Sequence, residues 1–202
     1  MIDYNRSGQM KSKERVANYG EVFTNEREVN AMLDLVKQET ERIDSRFLEP
    51  ACGEGAFLKE ILRRKLEVVK RMYEKSPYDY ERYAILALTS IYGIDIMADN
   101  VEICRQNLFD IWNEEYSQNA DEYANDQCRE IAEFILRKNI ICGDTLTLLQ
   151  DDNLPITFAE WSFDIGDNFK RRDYQLSDML DEHPIPVREY PPTDYRRLNI
   201  YE

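Results

Sequence analysis

The sequence predicts an α/β fold with a mostly parallel sheet of the doubly wound type. Short apolar segments alternate along the chain with longer segments in which apolar residues recur at helical spacing. Four of the short segments are closed by a proline, a glycine or an acidic residue, which predicts four strands. Since this alternation is typical of strands joined by helical crossovers, the strands are expected to lie parallel.

The N-terminal part of the chain predicts an arm, a helix and a first strand. Residues 1–18 are polar and show no period, so we expect a flexible arm. Asn25 and Glu28 form a capping pair before a helix with an apolar face. The first strand lies at 46–50 and runs directly into the glycine turn 51–55.

Three more strands are expected downstream, separated by helices. Helical spacing of apolar residues follows the glycine turn and recurs at 80–90, before a second strand that ends at Asp95. Further helices begin at Asp99 or Asn100 and lead to a third strand, 139–142. The fourth apolar run is 156–159. We therefore expect a domain over 19–163 and a charged, proline-rich extension over 164–202.

Composition excludes several classes of function. The 202 residues contain 26 basic and 40 acidic side chains, a net charge of -14, which disfavours a wide electropositive surface that grips DNA unaided. The single histidine, His183, argues against a histidine metal site, and we predict no metal. No apolar run approaches the roughly 18 residues of a membrane span, so a cytoplasmic protein with reduced cysteines is expected.

Polar residues at three strand ends mark the candidate ligand site. In open parallel sheets, ligands bind beyond the carboxyl ends of the strands. Gly53 and Gly55 let the backbone turn sharply at the start of a helix whose N-H groups favour an anion. Asp95 stands where such folds bind ribose hydroxyls, and Asp144 stands where it can accept a bond from a base amino group. The alternatives are a glycine turn that only saves space and an aspartate that only caps the next turn.

These motifs together resemble the gamma-type adenine-specific DNA methyltransferases of restriction-modification systems. Residues 47–58, FLEPACGEGAFL, resemble the S-adenosylmethionine loop D-P-A-C-G-S-G-x-F-L of that family. Residues 19–24, YGEVFT, look like its G-x-x-F-T-P segment, with Asn25 in place of the proline. GID at 93–95 and GDTL at 143–146 resemble the ribose and adenine segments. The likeness spans roughly 19–163 in family order, although the interval from Gly55 to the ribose acid is longer than usual.

The resemblance implies a Rossmann-like S-adenosylmethionine-dependent methyltransferase fold, truncated after the fourth strand. It also implies S-adenosylmethionine as cofactor. The cofactor-binding residues that it implies are Tyr19, Phe23, Thr24, Glu49, Pro50, Ala51, Gly53, Gly55, Phe57, Asp95, Ile96, Asp144 and Leu146.

The sequence departs from the family at the catalytic motif. Family members follow the fourth strand with N-P-P-Y or N-P-P-F, which holds the target amino group and stacks on the flipped base. Here the corresponding residues, 160–163, are EWSF, and no N-P-P-Y occurs elsewhere. Glu160 as hydrogen-bond acceptor and Phe163 as stacking ring are the degenerate catalytic candidates.

Three interpretations of this departure stay open. We favour the cofactor-binding subunit of a split adenine-specific DNA methyltransferase, inactive alone. A second subunit then brings N-P-P-Y, target recognition and the missing sheet edge, DNA is bound through the complex, and a nuclease subunit is possible. The alternatives are a catalytically silent S-adenosylmethionine-binding regulatory subunit of a defence complex, and a divergent methyltransferase with a non-DNA substrate and Glu160 as base. The basic run 170–172 touches DNA phosphate, or it is a solvated turn or a salt-bridged contact with a partner.

Overall fold

The computed structural model describes residues 24–164 and 166–202. The expected arm, 1–18, lies outside them. Residues 26–142 contain α1 (Glu26–Asp34), α2 (Lys37–Thr40), β1 (Phe47–Glu49), α3 (Ala56–Tyr73), α4 (Pro77–Thr89), β2 (Ile91–Asp95), α5 (Ala98–Ala120), α6 (Asp126–Asn139) and β3 (Ile140–Cys142). Residues from 157 onwards contain β4 (Thr157–Phe163), β5 (Asn168–Gln175), β6 (Arg188–Glu189), β7 (Thr193–Asp194) and a final 3-10 helix, Tyr195–Tyr201.

The first three strands form one parallel sheet in the order β1-β2-β3. Phe47 pairs with Ile91 on one side of the central strand, and Gly93 pairs with Ile140 on the other. The α/β class and the parallel pairing of these strands are thereby confirmed. Because all three strands point the same way, the loops that follow them emerge at one edge of the sheet.

The two faces of this sheet are covered differently. Helices α3 to α6 pack against one face, in a core that includes Leu62, Trp112 and Phe134. The other face packs on the start of β4 and the end of β5, through the buried residues Tyr92, Ile94, Ile141, Ile156, Phe158 and Leu176. None of the described helices is both long and apolar enough to cross a membrane.

The fourth strand does not extend the parallel sheet as expected. Strand β4 pairs antiparallel with β5 over its whole length, and β5 also pairs with β6 and β7. Strand β5 was not predicted from the sequence, because its buried positions include the charged residues Arg171 and Asp173. These two side chains are buried as a bidentate ion pair, with N-O distances of 2.7 and 2.8 Å, so their charges compensate each other. The expected boundary after Phe163 therefore falls in a hairpin.

A buried carboxylate fastens the end of the chain to the helices. Glu81 of α4 is 2% exposed and accepts hydrogen bonds from the hydroxyls of Tyr116 and Tyr195, both at 2.6 Å. It also accepts from Nε of Arg196 at 2.8 Å and from Asn125 at 3.1 Å. Because a buried charge needs such partners, this network holds the final 3-10 helix against the main core.

Lys65 occupies the edge of the parallel sheet at which the strands begin. Its side chain is fully buried on α3, and Nζ donates to the carbonyls of Ile43 and Ser45 and to the hydroxyl of Ser90. The ammonium also lies 5.3 Å from the ring centroid of Phe47. Burial lowers the pKa of Lys65 from 10.5 to about 7. The charged form therefore loses part of its hydration on folding without full compensation.

This shift predicts how stability depends on pH. Between pH 7 and 10.5 the unfolded chain binds more protons at Lys65 than the folded chain, so the free energy of unfolding rises with pH there. From about pH 6 to about pH 8.5, wild type is expected to gain about 2 kcal/mol relative to Lys65→Met in urea unfolding. Lys70→Met, at an exposed position of the same helix, is the matched control. If the difference in unfolding free energy between wild type and Lys65→Met stayed constant over this pH range, the lowered pKa of Lys65 would be contradicted.

Candidate functional site

Three loops meet at the edge where the parallel strands end. The loop after β1 bonds to β2 through the N-H of Cys52 and the carbonyl of Ile94, at 2.8 Å. The N-H of Gly143, after β3, donates to the Asp95 carbonyl at 3.0 Å. The Thr145 hydroxyl donates to the Pro50 carbonyl at 2.6 Å and so joins the first loop to the third. The structure thus brings together the three motifs that the sequence placed at strand ends.

The two glycines of the first loop are required for different reasons. Both have positive φ, +51° at Gly53 and +84° at Gly55, which favours glycine. A Cβ at Gly53 would meet no atom within 4 Å, so only the backbone conformation restricts that position. A Cβ at Gly55 would lie 2.7 Å from Sγ of Cys104 on α5. Gly55 therefore also allows the turn to lie close against that helix.

Asp95 connects the end of β2 to the glycine turn. Its side chain is only 8% exposed, and Oδ2 accepts a hydrogen bond from the N-H of Gly53 at 2.8 Å. Oδ1 accepts from the N-H of Met97 at 2.9 Å and from Nδ2 of Asn100 at 3.2 Å. Asp95 therefore does cap the turn that follows β2, as the alternative interpretation expected, but it also bonds to the glycine turn. A carboxylate has about four lone-pair directions, so these contacts leave Asp95 able to accept one more donor, such as a hydroxyl.

Glu49 is a half-buried acid at the end of β1. Its carboxylate makes no hydrogen bond or ion pair with any described residue, and burial raises its pKa. A cation bound beside it would stabilise the charged form and lower that pKa again. Next to it, α3 begins at Ala56 after Gly55, and no described side chain caps that helix start. The N-H groups of its first turn therefore favour an anion, so the two features together suit a ligand that carries both charges.

The third loop gives Asp144 a local partner and exposes an apolar rim. Oδ1 of Asp144 accepts a hydrogen bond from the N-H of Leu146 at 2.8 Å, which shapes its own turn. Leu146 is 94% exposed and Ile96, after β2, is 48% exposed. These apolar side chains belong to the two loops that the hydrogen bond from the Gly143 N-H to the Asp95 carbonyl joins, so they are candidates for contact with an apolar part of a ligand.

The remaining expected cofactor residues are distributed unevenly. Pro50 and Ala51 are exposed in the first loop, and Phe57 is partly buried in the first turn of α3. Thr24 is partly buried just before the N-cap of α1. Tyr19 and Phe23 lie outside the described residues.

Glu160 and Phe163 do not join this site. The N-H of Ile156 donates to the carbonyl of Leu148 in the loop after β3, whereas Nε1 of Trp161 donates to Oδ1 of Asn139, directly before β3. Strand β4 therefore starts at the ligand edge and runs towards the opposite one. A sequence pattern gives the order of strands but not their direction, and the expected catalytic position depended on a parallel β4.

Both side chains have structural partners at the opposite edge. Glu160 is 7% exposed and lies between Arg46, to which it is hydrogen-bonded, and Arg172, whose Nε is 2.9 Å from its carboxylate. The Phe163 ring lies 4.5 Å from that of Phe169 and 5.6 Å from that of Tyr83, centroid to centroid. This placement argues against the expected catalytic roles: Glu160 stabilises the contact between the two sheets, and Phe163 packs against α4.

The basic run on β5 forms salt bridges. Lys170 pairs with Glu189 at 2.9 Å, Arg172 pairs with Glu160, and Arg171 forms the buried pair described above. The run lies in a strand and not in a solvated turn, and these ion pairs are formed within the chain and not with a partner. A contact with DNA phosphate would have to compete with these acids.

Three residues on one face of α5, which we call the stripe, contact the candidate site and were not predicted from the sequence. Asn100 bonds to Asp95, Cys104 lies beneath Gly55, and Nδ2 of Asn107 donates to the Glu54 carbonyl at 2.9 Å. The spacing i, i+4, i+7 would place them on one helix face. Asparagines in a helix normally indicate a solvated face. The contacts of these three residues with the glycine turn and with Asp95 become visible only in the folded structure.

The comparisons with known proteins add no relative. No protein-family model, curated protein or solved structure matches this chain. Among the described residues, no group of histidine, cysteine, aspartate or glutamate side chains is arranged to hold a metal ion.

Replacing Glu160 tests its structural role. Glu160→Gln leaves Arg46 and Arg172 without their shared charge, so the free energy of unfolding should fall by about 1–3 kcal/mol, less than for a fully buried pair because Arg46 is half exposed. Glu189→Gln, which breaks an exposed pair on the same sheet, should leave the free energy of unfolding almost unchanged. If Glu160→Gln were as stable as wild type but bound S-adenosylmethionine more weakly, Glu160 would be a ligand-binding residue and not a structural one.

Proposed function

We propose that this chain binds S-adenosylmethionine at the edge where its parallel strands end, and that it is the cofactor-binding subunit of a split adenine-specific DNA methyltransferase. The hydrogen bond between Asp95 and the Gly53 N-H carries this proposal. It joins the two motifs whose order in the sequence resembles that family. A methyltransferase fold for the whole chain is part of the same proposal.

The residues at this edge suit the chemical groups of the cofactor. Asp95 would accept a hydrogen bond from a ribose hydroxyl. The first turn of α3 would receive the methionine carboxylate, and Glu49 would pair with the ammonium group. Ile96 and Leu146 would contact the adenine ring, with Asp144 beside its amino group. Bound here, S-adenosylmethionine supplies an activated methyl group, and the residues of this chain orient it and exclude water.

Charge supports a division of labour between two subunits. The net charge of -14 and the acids around the site favour a ligand with a positive sulfonium and ammonium. The same charge opposes the approach of DNA phosphate. The partner subunit would therefore supply the basic surface for DNA, as well as target recognition. The proposal includes a restriction-modification or phage-defence role and a cytoplasmic location, and it does not require a nuclease subunit.

The engagement of Glu160 also favours a partner for catalysis. Its carboxylate is shared by two arginines at the far edge of the sheet, so it is poorly placed to act on an adenine amino group beside the methyl donor. The partner would bring N-P-P-Y to the cofactor edge. The same observation is compatible with a second function, a catalytically silent S-adenosylmethionine-binding regulatory subunit. Methyl transfer to DNA by the reconstituted complex, and none by the chain alone, would favour the split enzyme.

Calorimetry with S-adenosylmethionine tests the cofactor proposal. Asp95→Ala removes one hydrogen-bond acceptor for ribose and releases the Gly53 N-H, so binding should weaken by about 1–3 kcal/mol. Asp126→Ala, which removes an exposed acid at the start of α6, is the control for charge and should leave the affinity unchanged. Urea unfolding of both variants shows whether they remain folded. Equal affinity of wild type and folded Asp95→Ala would exclude the ribose role.

A further inference from the structure

Two residues of the stripe on α5, Cys104 and Asn107, lie against the glycine turn. Nδ2 of Asn107 donates to the Glu54 carbonyl at 2.9 Å, and the N-H of Gly55 donates to the Cys52 carbonyl at 2.8 Å. The peptide group between residues 54 and 55 is therefore fixed at both its oxygen and its nitrogen. One of these two contacts comes from outside the turn, and Asn107 supplies it.

The helix that carries Asn107 is itself firmly packed. Neighbouring positions Cys104 and Leu108 are fully buried in the main core, as is Trp112 one turn later. Nε1 of Trp112 also donates to the Ala84 carbonyl of α4 at 3.1 Å. A side chain on such a helix has a defined position, so Asn107 can impose a conformation on the turn.

We propose that Asn107 is a positioning residue for the cofactor loop: its amide holds the Glu54 carbonyl and so sets the direction of the first-turn N-H groups of α3. This inference rests on the proposed function, because it concerns binding of S-adenosylmethionine at that loop. In this role Asn107 acts through its hydrogen bond to the turn and not through contact with the cofactor. Without the amide, the turn populates other conformations.

The effect on affinity follows from the population of the competent turn. If only a fraction of molecules holds the turn correctly, the apparent Kd rises in inverse proportion to that fraction. Loss of one hydrogen bond of ordinary strength predicts an increase of about three- to ten-fold in the apparent Kd. Asparagine is a poor helix former compared with alanine, so removal of this side chain should leave α5 folded.

The experiment compares four proteins by calorimetry with S-adenosylmethionine, each with its thermal unfolding midpoint. Asn107→Ala removes the donor, and Asn107→Asp puts a carboxylate against the Glu54 carbonyl, so its Kd should rise more than that of Asn107→Ala. The control is Gln106→Ala, whose amide bonds to Asp110 on the same helix and does not reach the loop. Wild type and Gln106→Ala should bind equally.

Amide hydrogen exchange at Gly55 and Ala56 distinguishes positioning from general stability. In both Asn107 variants these amides should exchange faster while exchange in the α5 core is unchanged. Equal Kd and equal exchange at the turn in wild type and folded Asn107→Ala would overturn the inference and leave the proposed function intact. Absence of S-adenosylmethionine binding by wild type would overturn both.

Discussion

The hydrogen bond from the Gly53 N-H to the Asp95 carboxylate is the contact on which the candidate site depends. It fixes the turn after β1 to the end of β2, and the Gly143 N-H extends the same connection to the loop after β3. Because Asp95 is almost fully buried, water competes little for these bonds. Three short loops on a small sheet are thereby joined by hydrogen bonds, and they carry acids, helix N-H groups and exposed apolar side chains.

The polar groups at the two edges of the parallel sheet differ in how fully they are paired. Where the strands end, polar groups keep unused hydrogen-bonding capacity, as at Glu49 and Asp95. Where the strands begin, charges are buried and matched, with Lys65 on two carbonyls and a hydroxyl and Glu160 between two arginines. The antiparallel direction of β4 produces this division. Because of this direction, residues 160–163 lie at the edge where the parallel strands begin and not at the edge where they end.

The sequence predicted the first three strands and the glycine turn because each depends on local patterns, namely apolar runs closed by glycine or acid. Strand β5 was missed because Arg171 and Asp173 face inward, and only their mutual contact makes their burial possible. The position of Glu160 between two arginines was not predicted, because strand direction comes from tertiary packing. Asn107 was not recognised because a polar residue on a helix resembles a solvated one until its partner is known.

Amide hydrogen exchange with and without S-adenosylmethionine tests the central claim most directly, because it reports every loop at once. We expect the cofactor to slow exchange in three separate segments, 49–57, 93–97 and 143–146, and to leave exchange in the strand residues 160–163 and in the loop 42–46 unchanged. Such a pattern requires the three loops to form one binding surface. Protection confined to 160–163, or no change in any of the three segments at saturating cofactor, would contradict it.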